Sequence, residues 1–509
     1  MPCGSQKGGR ESRHSWLDGS VSGTYCVIAW IVASIIFLGM VAILGGPSEG
    51  DGTQTVYSTW SIAHGSVACA DPPTPSNTSG FLPDYLPLTN APPLWPLISG
   101  GLASAVGLGH TEPFPSSKAL GPNCARAYSA IYRWADSTFL LVPTVRLGYV
   151  SWVFLLAGFI SLLRASGRGR TRWEVLGVLY LALVPLVWAP LLEYFHPQDL
   201  VAVGLSLGGL ALILRQKWTA AGVLLGLAVT SQQFALLVLL PVLVLVAGNK
   251  RMRVGLSAIV GWSVISLPIL LLTWGQASSA VFFGTGDAAS LGGTVLWEIH
   301  LPGRWVLFAS RVMPLLVSVA GACWVRHRLG ERSLHSIPLV SLVGASLALR
   351  LVFEKGLFSY KFMALSVMLV ALDVVGGRLR GEVVVWISLV TLAFDPVPIG
   401  LQLNAEPWGR DVRGAVPLIC MAFALLWILS DAIRRRFRWY VIAFFFIAVC
   451  AFMKWPPWLI TPLRTPLPKW LWQLILVPSG FALVLIPLTN TMNRVNGVSP
   501  KQRWRALVP

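Results

Sequence analysis

Residues 147–172 read LGYVSWVFLLAGFISLLRASGRGRTR. The apolar run from Leu147 to Leu163 ends on Arg164, and Arg168, Arg170 and Arg172 follow within one short loop. A helix needs roughly 20 mostly apolar residues to cross a bilayer, and a Lys/Arg cluster at its end marks the cytoplasmic side. This stretch therefore predicts a spanning helix and its direction. The whole chain agrees with a membrane reading: of 509 residues, 55% are hydrophobic and only 12% charged, with mean hydropathy +0.68. A soluble domain carries about a quarter of its residues as charges, so a water-facing surface cannot be covered. A soluble catalytic domain is excluded on the same ground.

Upstream, the apolar run Cys26–Leu44 follows Lys7, Arg10 and Arg13. It is long for a signal-peptide core and lacks a small-x-small cleavage site, so it reads as an uncleaved first helix with a cytoplasmic N-terminus. Residues 47–146 then form one large outer loop. Within it Ala91–Leu108 is apolar, but another crossing would put the arginine cluster outside. A helix lying in the interface is expected there instead.

Downstream, spans are expected at 173–191, 199–214, 255–273, 305–325, 336–353, 362–376, 382–396, 414–431, 439–453 and 470–488. The segment Trp218–Gly248 has Arg215 and Lys217 before it and Lys250, Arg251 and Arg253 after it, so both ends prefer the cytoplasm. Thr230-Ser231-Gln232-Gln233 breaks its middle, which suits two short helices that enter and return. The expected fold is an all-α polytopic membrane protein of about twelve spans, with a broken re-entrant pair and a large helical first outer loop. Its parts are a cytoplasmic tail (1–25), a membrane core (26–376), C-terminal spans (377–489) and a basic cytoplasmic tail (490–509). A multi-pass protein of the plasma membrane follows, with both termini inside and its active face outside.

Of seven cysteines, Cys69 and Cys124 alone fall in the outer loop. An oxidising exterior favours their pairing; two buried free thiols are the alternative. No His/Cys cluster suggests zinc, and no cofactor is implied, with a divalent metal left open. Asn77-Thr78-Ser79 matches a glycosylation sequon.

Three outer clusters carry candidate chemistry. Asp51, with Glu49 as a secondary acid, follows the first helix; a carboxylate partly desolvated at the membrane surface suits a general base, or is an ordinary loop charge. Glu193-Tyr194-Phe195-His196-Pro197-Gln198-Asp199 joins two spans with almost no loop, and ionisable groups at that depth are costly and often functional. The plainer reading makes His196 a helix cap and Asp199 a satisfied structural group. Arg350, Lys355, Tyr360 and Lys361 bracket another tight turn, where cations can hold a lipid phosphate or simply snorkel to headgroups. Arg304, Arg410 and Arg413 are candidates for the same role.

This pattern resembles the C-type glycosyltransferase superfamily, in particular its bacterial polyprenyl-phosphate-sugar-dependent mannosyltransferase branch. The resemblance rests on Glu49-Gly50-Asp51, Thr89-Asn90-Ala91-Pro92-Pro93-Leu94-Trp95, His196-Pro197-Gln198-Asp199, and the run from Ala221 to Ala228 leading into Thr230–Gln233. It covers most of residues 26–375 as architecture. Two departures stand out: Gln232 and Gln233 occupy a place often basic in similar proteins, and the acidic pair is Glu-x-Asp.

The resemblance implies that Asp51 deprotonates an acceptor hydroxyl, which attacks the anomeric carbon of a polyprenyl-phosphate sugar with inversion. The sugar implied is mannose, and the acceptor a lipid or a glycan. His196, Gln198, Arg350, Lys355, Tyr360 and Lys361 would bind the donor and its departing phosphate. Two other classes remain open: a transporter or flippase, and a non-catalytic membrane protein. The net charge of +18 sorts by this topology almost wholly onto the cytoplasmic side, so it signals orientation and membrane-lipid contact, with no nucleic-acid partner.

Overall fold

The computed structural model describes residues 17–44, 59, 93–107, 146–192, 195–272, 294–300, 303–354, 356–394 and 469–495. These are helical throughout apart from turns and one isolated bridge, Ser20 to Thr171. Among the described residues, six helices are long and apolar enough to cross a membrane, or seven if one bent pair counts as a single span. The protein is an α-helical polytopic membrane protein.

α1 (Gly23–Leu44) begins near the loop that closes α3 (Val150–Ala165). A short helix of the long first loop, α2 (Leu94–Ala105), buries Leu94 and Trp95 against Val201. Its Ser99 hydroxyl lies 2.7 Å from that of Thr59. The expected span 173–191 is two helices, α4 (Arg172–Leu183) and α5 (Pro185–Leu192), bent by 46°. Pro185 has no N–H to donate and disfavours a helical conformation at the residue before it; Val184 is accordingly extended.

α6 (Pro197–Leu214) lies directly on α3. A Cβ on Gly158 would stand 2.0 Å from the Gly204 carbonyl oxygen, and one on Gly204 2.3 Å from that of Phe154. Small residues at a crossing let two backbones touch, the usual basis of helix association where lipid removes the hydrophobic drive.

The broken segment is α7 (Trp218–Ser231), a 3₁₀ turn at Gln233–Ala235, and α8 (Leu236–Leu245). α9 (Gly248–Leu272) then runs parallel to α7, with Gly222, Gly226 and Gly261 at their contact. The Lys250 ammonium sits 5.3 Å from the Trp218 ring, while Ser231 donates to the Gln198 carbonyl at the other end of α6. α7 therefore rises to that end and α8 returns from it.

After α10 (Val295–Glu298) and α11 (Gly303–Arg311), α12 (Met313–Leu329) and α13 (Ser336–Val352) form an antiparallel pair. α14 (Met363–Val375), α15 (Gly381–Phe394) and α16 (Lys469–Val495) complete the described bundle. Gln473 of α16 donates to the Leu351 and Val352 carbonyls and accepts from the Val295 amide. One core unites α12 to α16, with α14 buried along its whole length. The expected spans 414–431 and 439–453 lie outside the described residues.

The bundle has two unlike ends. One gathers the loops 166–171, 215–217, 246–250, 330–335 and 376–380, and is called the basic end below. There Arg164 pairs with buried Glu174 at 3.1 Å and Arg380 with buried Asp373 at 2.6 Å. The far end gathers residues 195–196, 232–235, 311 and 353–361.

Candidate functional site

The site starts from the kink that places His196. Phe195 has φ +50°, a left-handed conformation that costs a non-glycine residue about 1–3 kcal/mol. Its ring is buried beside Gly148, where a Cβ would approach Phe195 to 2.7 Å. The His196 amide donates to the Pro190 carbonyl, closing the turn between α5 and α6. With Pro197 at the first helical position, no chain is left for a loop, and the imidazole is set at the mouth of the bundle.

His196 stands at the N-cap position of α6, but no side-chain cap bond forms. Its Nδ1 is 2.9 Å from Gln198 Nε2, and its ring stacks on Tyr360 at 4.2 Å. Phe358 extends the stack, 5.8 Å from Tyr360. The capping reading of His196 therefore gives way to a contact between two turns far apart in sequence. Asp199 is not the satisfied structural group of that reading either: one oxygen meets Gln232 while Oδ1 has no hydrogen-bond partner. Buried Gln198 Oε1 is likewise unpartnered.

The second half of the site is ionic. Glu354 accepts from Arg350 Nε at 3.2 Å and from Lys361 Nζ at 3.0 Å, and all three side chains are at most one-fifth exposed. Lys361 also donates to the Gly356 carbonyl at 2.7 Å. The Arg350 guanidinium lies 4.8 Å from the Phe234 ring, and Arg311 donates to Gln233 Oε1 at 3.1 Å. Arg350 uses only Nε toward Glu354, and its two terminal NH₂ groups make no hydrogen bond among the described residues.

Burial alone would raise the Glu354 carboxyl, but Lys361, Arg350 and Arg311 outweigh it and hold it down at about 2. Burial pushes the Lys361 ammonium below the usual lysine range; Glu354 opposes this and the two arginines add to it. The carboxylate, facing three cations, is the partner held firmly ionised. Arg350 and Lys361 also act on Asp199, as does His196, so both turns share one electrostatic environment. Three fixed cations confront Glu354 and Asp199 in a partly dehydrated setting, where an unpaired charge is expensive. An incoming anion would complete that balance.

Of the residues read from sequence, His196, Gln198, Arg350, Tyr360 and Lys361 are thus brought together. Asp51, Glu49, Lys355, Cys69, Cys124 and the sequon at Asn77 lie outside the described residues. Arg311, Gln232, Gln233, Phe234 and Glu354 also belong to the site. Arg311 carried a signal, as an ionisable residue inside an apolar run; Gln232 and Gln233 showed as a helix break and as a departure from a place often basic in the resembled family, and the fold sets them at the far end beside the cations. No group of three or more His, Cys, Asp or Glu suited to a metal occurs among the described residues. No protein-family model matches the chain, and no curated protein matches it significantly.

Proposed function

We propose that this protein is an integral membrane glycosyltransferase of the C type that moves a sugar, mannose by resemblance, from a polyprenyl-phosphate donor to a lipid or glycan acceptor. The observation that carries the reading is the half-buried cluster of Arg311, Arg350 and Lys361 beside the stacked His196 and Tyr360. The donor's phosphate carries negative charge before and after transfer, and grows more basic as the glycosidic bond breaks. Fixed cations in a dry site stabilise such a leaving group without reorganisation. The unused NH₂ groups of Arg350 suit two phosphate oxygens. Asp51 then serves as base toward the acceptor hydroxyl, and the prenyl tail lies in the hydrocarbon beside the far end.

In this reading the far end faces outside, the basic end and both termini face the cytoplasm of a plasma-membrane protein, and about twelve spans complete the bundle. Segregation of the buried ion pairs supports transfer over transport. Glu174 and Asp373 pair at the basic end and Glu354 at the far end, whereas a carrier places its polar groups near the midplane.

The test is sugar transfer in membranes from a panel of radiolabelled polyprenyl-phosphate sugars. Asp51→Asn is expected to abolish transfer, and Arg350→Gln to lower it by about 10²–10³-fold, as for other groups that stabilise developing charge. Full activity in Asp51→Asn would remove that residue as base. No transfer by the unaltered chain with any donor of the panel would remove the enzyme reading.

A further inference from the structure

A second feature lies at the opposite end of the bundle. A cleft of about 630 Å³ opens between α9 and α12, floored by Leu240, Leu243 and Val244 of α8 and walled on one side by Val319 and Cys323 of α12. It runs along the C-terminal half of α8, the half nearer the basic end. The ridges beside it are apolar and bare: Leu256, Ile259 and Val260 on α9 and Leu316 and Trp324 on α12 are exposed. In a membrane protein such faces meet acyl chains, so the cleft opens onto lipid.

Its rim is cationic. Arg251 donates through Nε to the Val246 carbonyl at 3.0 Å, and Arg326 through Nη1 to the same oxygen at 3.2 Å. Both also reach the Val244 carbonyl, and His327 completes the rim. These bonds cap the C-terminus of α8, where the helix dipole favours positive charge. A cap needs one cation; here two guanidinium groups converge, and neither forms an ion pair with a described residue. Apolar walls below two unneutralised arginines at membrane level match one class of ligand in both parts.

We propose that this cleft binds one anionic glycerophospholipid from the leaflet at the basic end. An acyl chain lies along Leu240, Leu243 and Val319, and the phosphate accepts from Arg251 and Arg326. Basic pockets between spanning helices are suited to such headgroups. The lipid packs against the C-terminal half of α8 and braces the arm that leads to Gln233 and Arg311.

Native mass spectrometry of the purified full chain, equilibrated with phosphatidylglycerol or phosphatidylcholine of the same acyl chains, tests this. One phosphatidylglycerol is expected to remain bound in preference to phosphatidylcholine. Leu243→Trp with Val319→Trp should fill the cleft and abolish retention. Arg251→Gln and Arg326→Gln should each reduce the preference roughly fivefold, the worth of one interfacial cation. Equal retention of the two lipids, or unchanged retention in the filled variant, overturns the proposal. Should the variants unfold, maleimide labelling of Cys323 in a chain whose other six cysteines are serine decides it. Protection by phosphatidylglycerol alone is expected; equal labelling with both lipids shows that the chain itself or any lipid fills the cleft, and overturns the inference.

Discussion

Glu354 is the residue on which the far end turns. It lies in the turn between α13 and the 3₁₀ helix Ser359–Phe362 and is bound by Arg350 from one side and Lys361 from the other. Removing one partner of a buried ion pair leaves an uncompensated charge and costs about 3–5 kcal/mol. Glu354→Gln is therefore expected to lower the melting temperature in detergent, with Arg350→Gln and Lys361→Gln costing less, since each leaves Glu354 one ion-pair partner and the nearby Arg311. The pH dependence has a definite sign. Glu354 has a folded pKa of about 2, below its ordinary 4.5, so its stabilisation is complete above about 4.5 and is lost as pH falls toward 2. An acid-induced loss of stability in that window should be shallower in Glu354→Gln, as followed by thermal unfolding across pH; an identical profile would remove Glu354 as its source.

At the scale of elements, two glycine contacts organise the bundle. Gly158 and Gly204 join α3 to α6, and Gly222 and Gly226 join α7 to α9, where a Cβ on Gly226 would meet the Ala258 carbonyl oxygen at 2.1 Å. Backbone atoms cannot yield as a side-chain tip can. Gly204→Ala and Gly226→Ala are each expected to destabilise by about 1–3 kcal/mol through forced separation of the helices. Gly39→Ala in α1, where nothing lies within 4 Å, should leave stability unchanged or raise it, because alanine is the better helix former by up to about 1 kcal/mol. Thermal unfolding of the three variants in one detergent checks the contrast. The pair α3–α6 holds His196 and Gln198 at its far end, so Gly204→Ala should also displace the site.

The described bundle is polarised: Arg- and Lys-rich loops at one end and mixed charges with aromatic stacking at the other. The α7–α8 hairpin links them, since α7 and α8 begin and finish at the basic end and turn beside the site. This topology predicts that single cysteines at positions 217 and 250 react with a membrane-impermeant thiol reagent from the same side, and one at position 356 only from the opposite side. Labelling of 217 and 250 from opposite sides would show a straight span in place of the hairpin.

Much of this organisation was legible in the chain itself. Spans such as 199–214 and 255–273 are visible as apolar runs because lipid demands an unbroken length of hydrocarbon-compatible helix, and basic clusters mark one end because charge resists crossing. The two short helices α7 and α8 were legible from the polar break between them. His196, Arg350 and Lys361 were legible as ionisable groups where burial is costly. Their partners were not: Glu354 read as one more turn residue, and Gln232 and Gln233 as a helix breaker. Periodicity places a residue along its own helix but says nothing about which other helix faces it.

By itself, the sequence determined that this protein lies in a membrane, that its helices run back and forth between a basic and a mixed end, and which turns hold costly polar groups. Those properties depend on transfer energies summed along the chain. Tertiary structure alone decided that His196 stacks on Tyr360, that three cations surround Glu354, and that a cleft lies beside α8 beneath Arg251 and Arg326. These follow from contacts between separate helices and turns, with His196 and Tyr360 164 positions apart and Arg311 and Glu354 43 apart, and such contacts exist only once the bundle has packed.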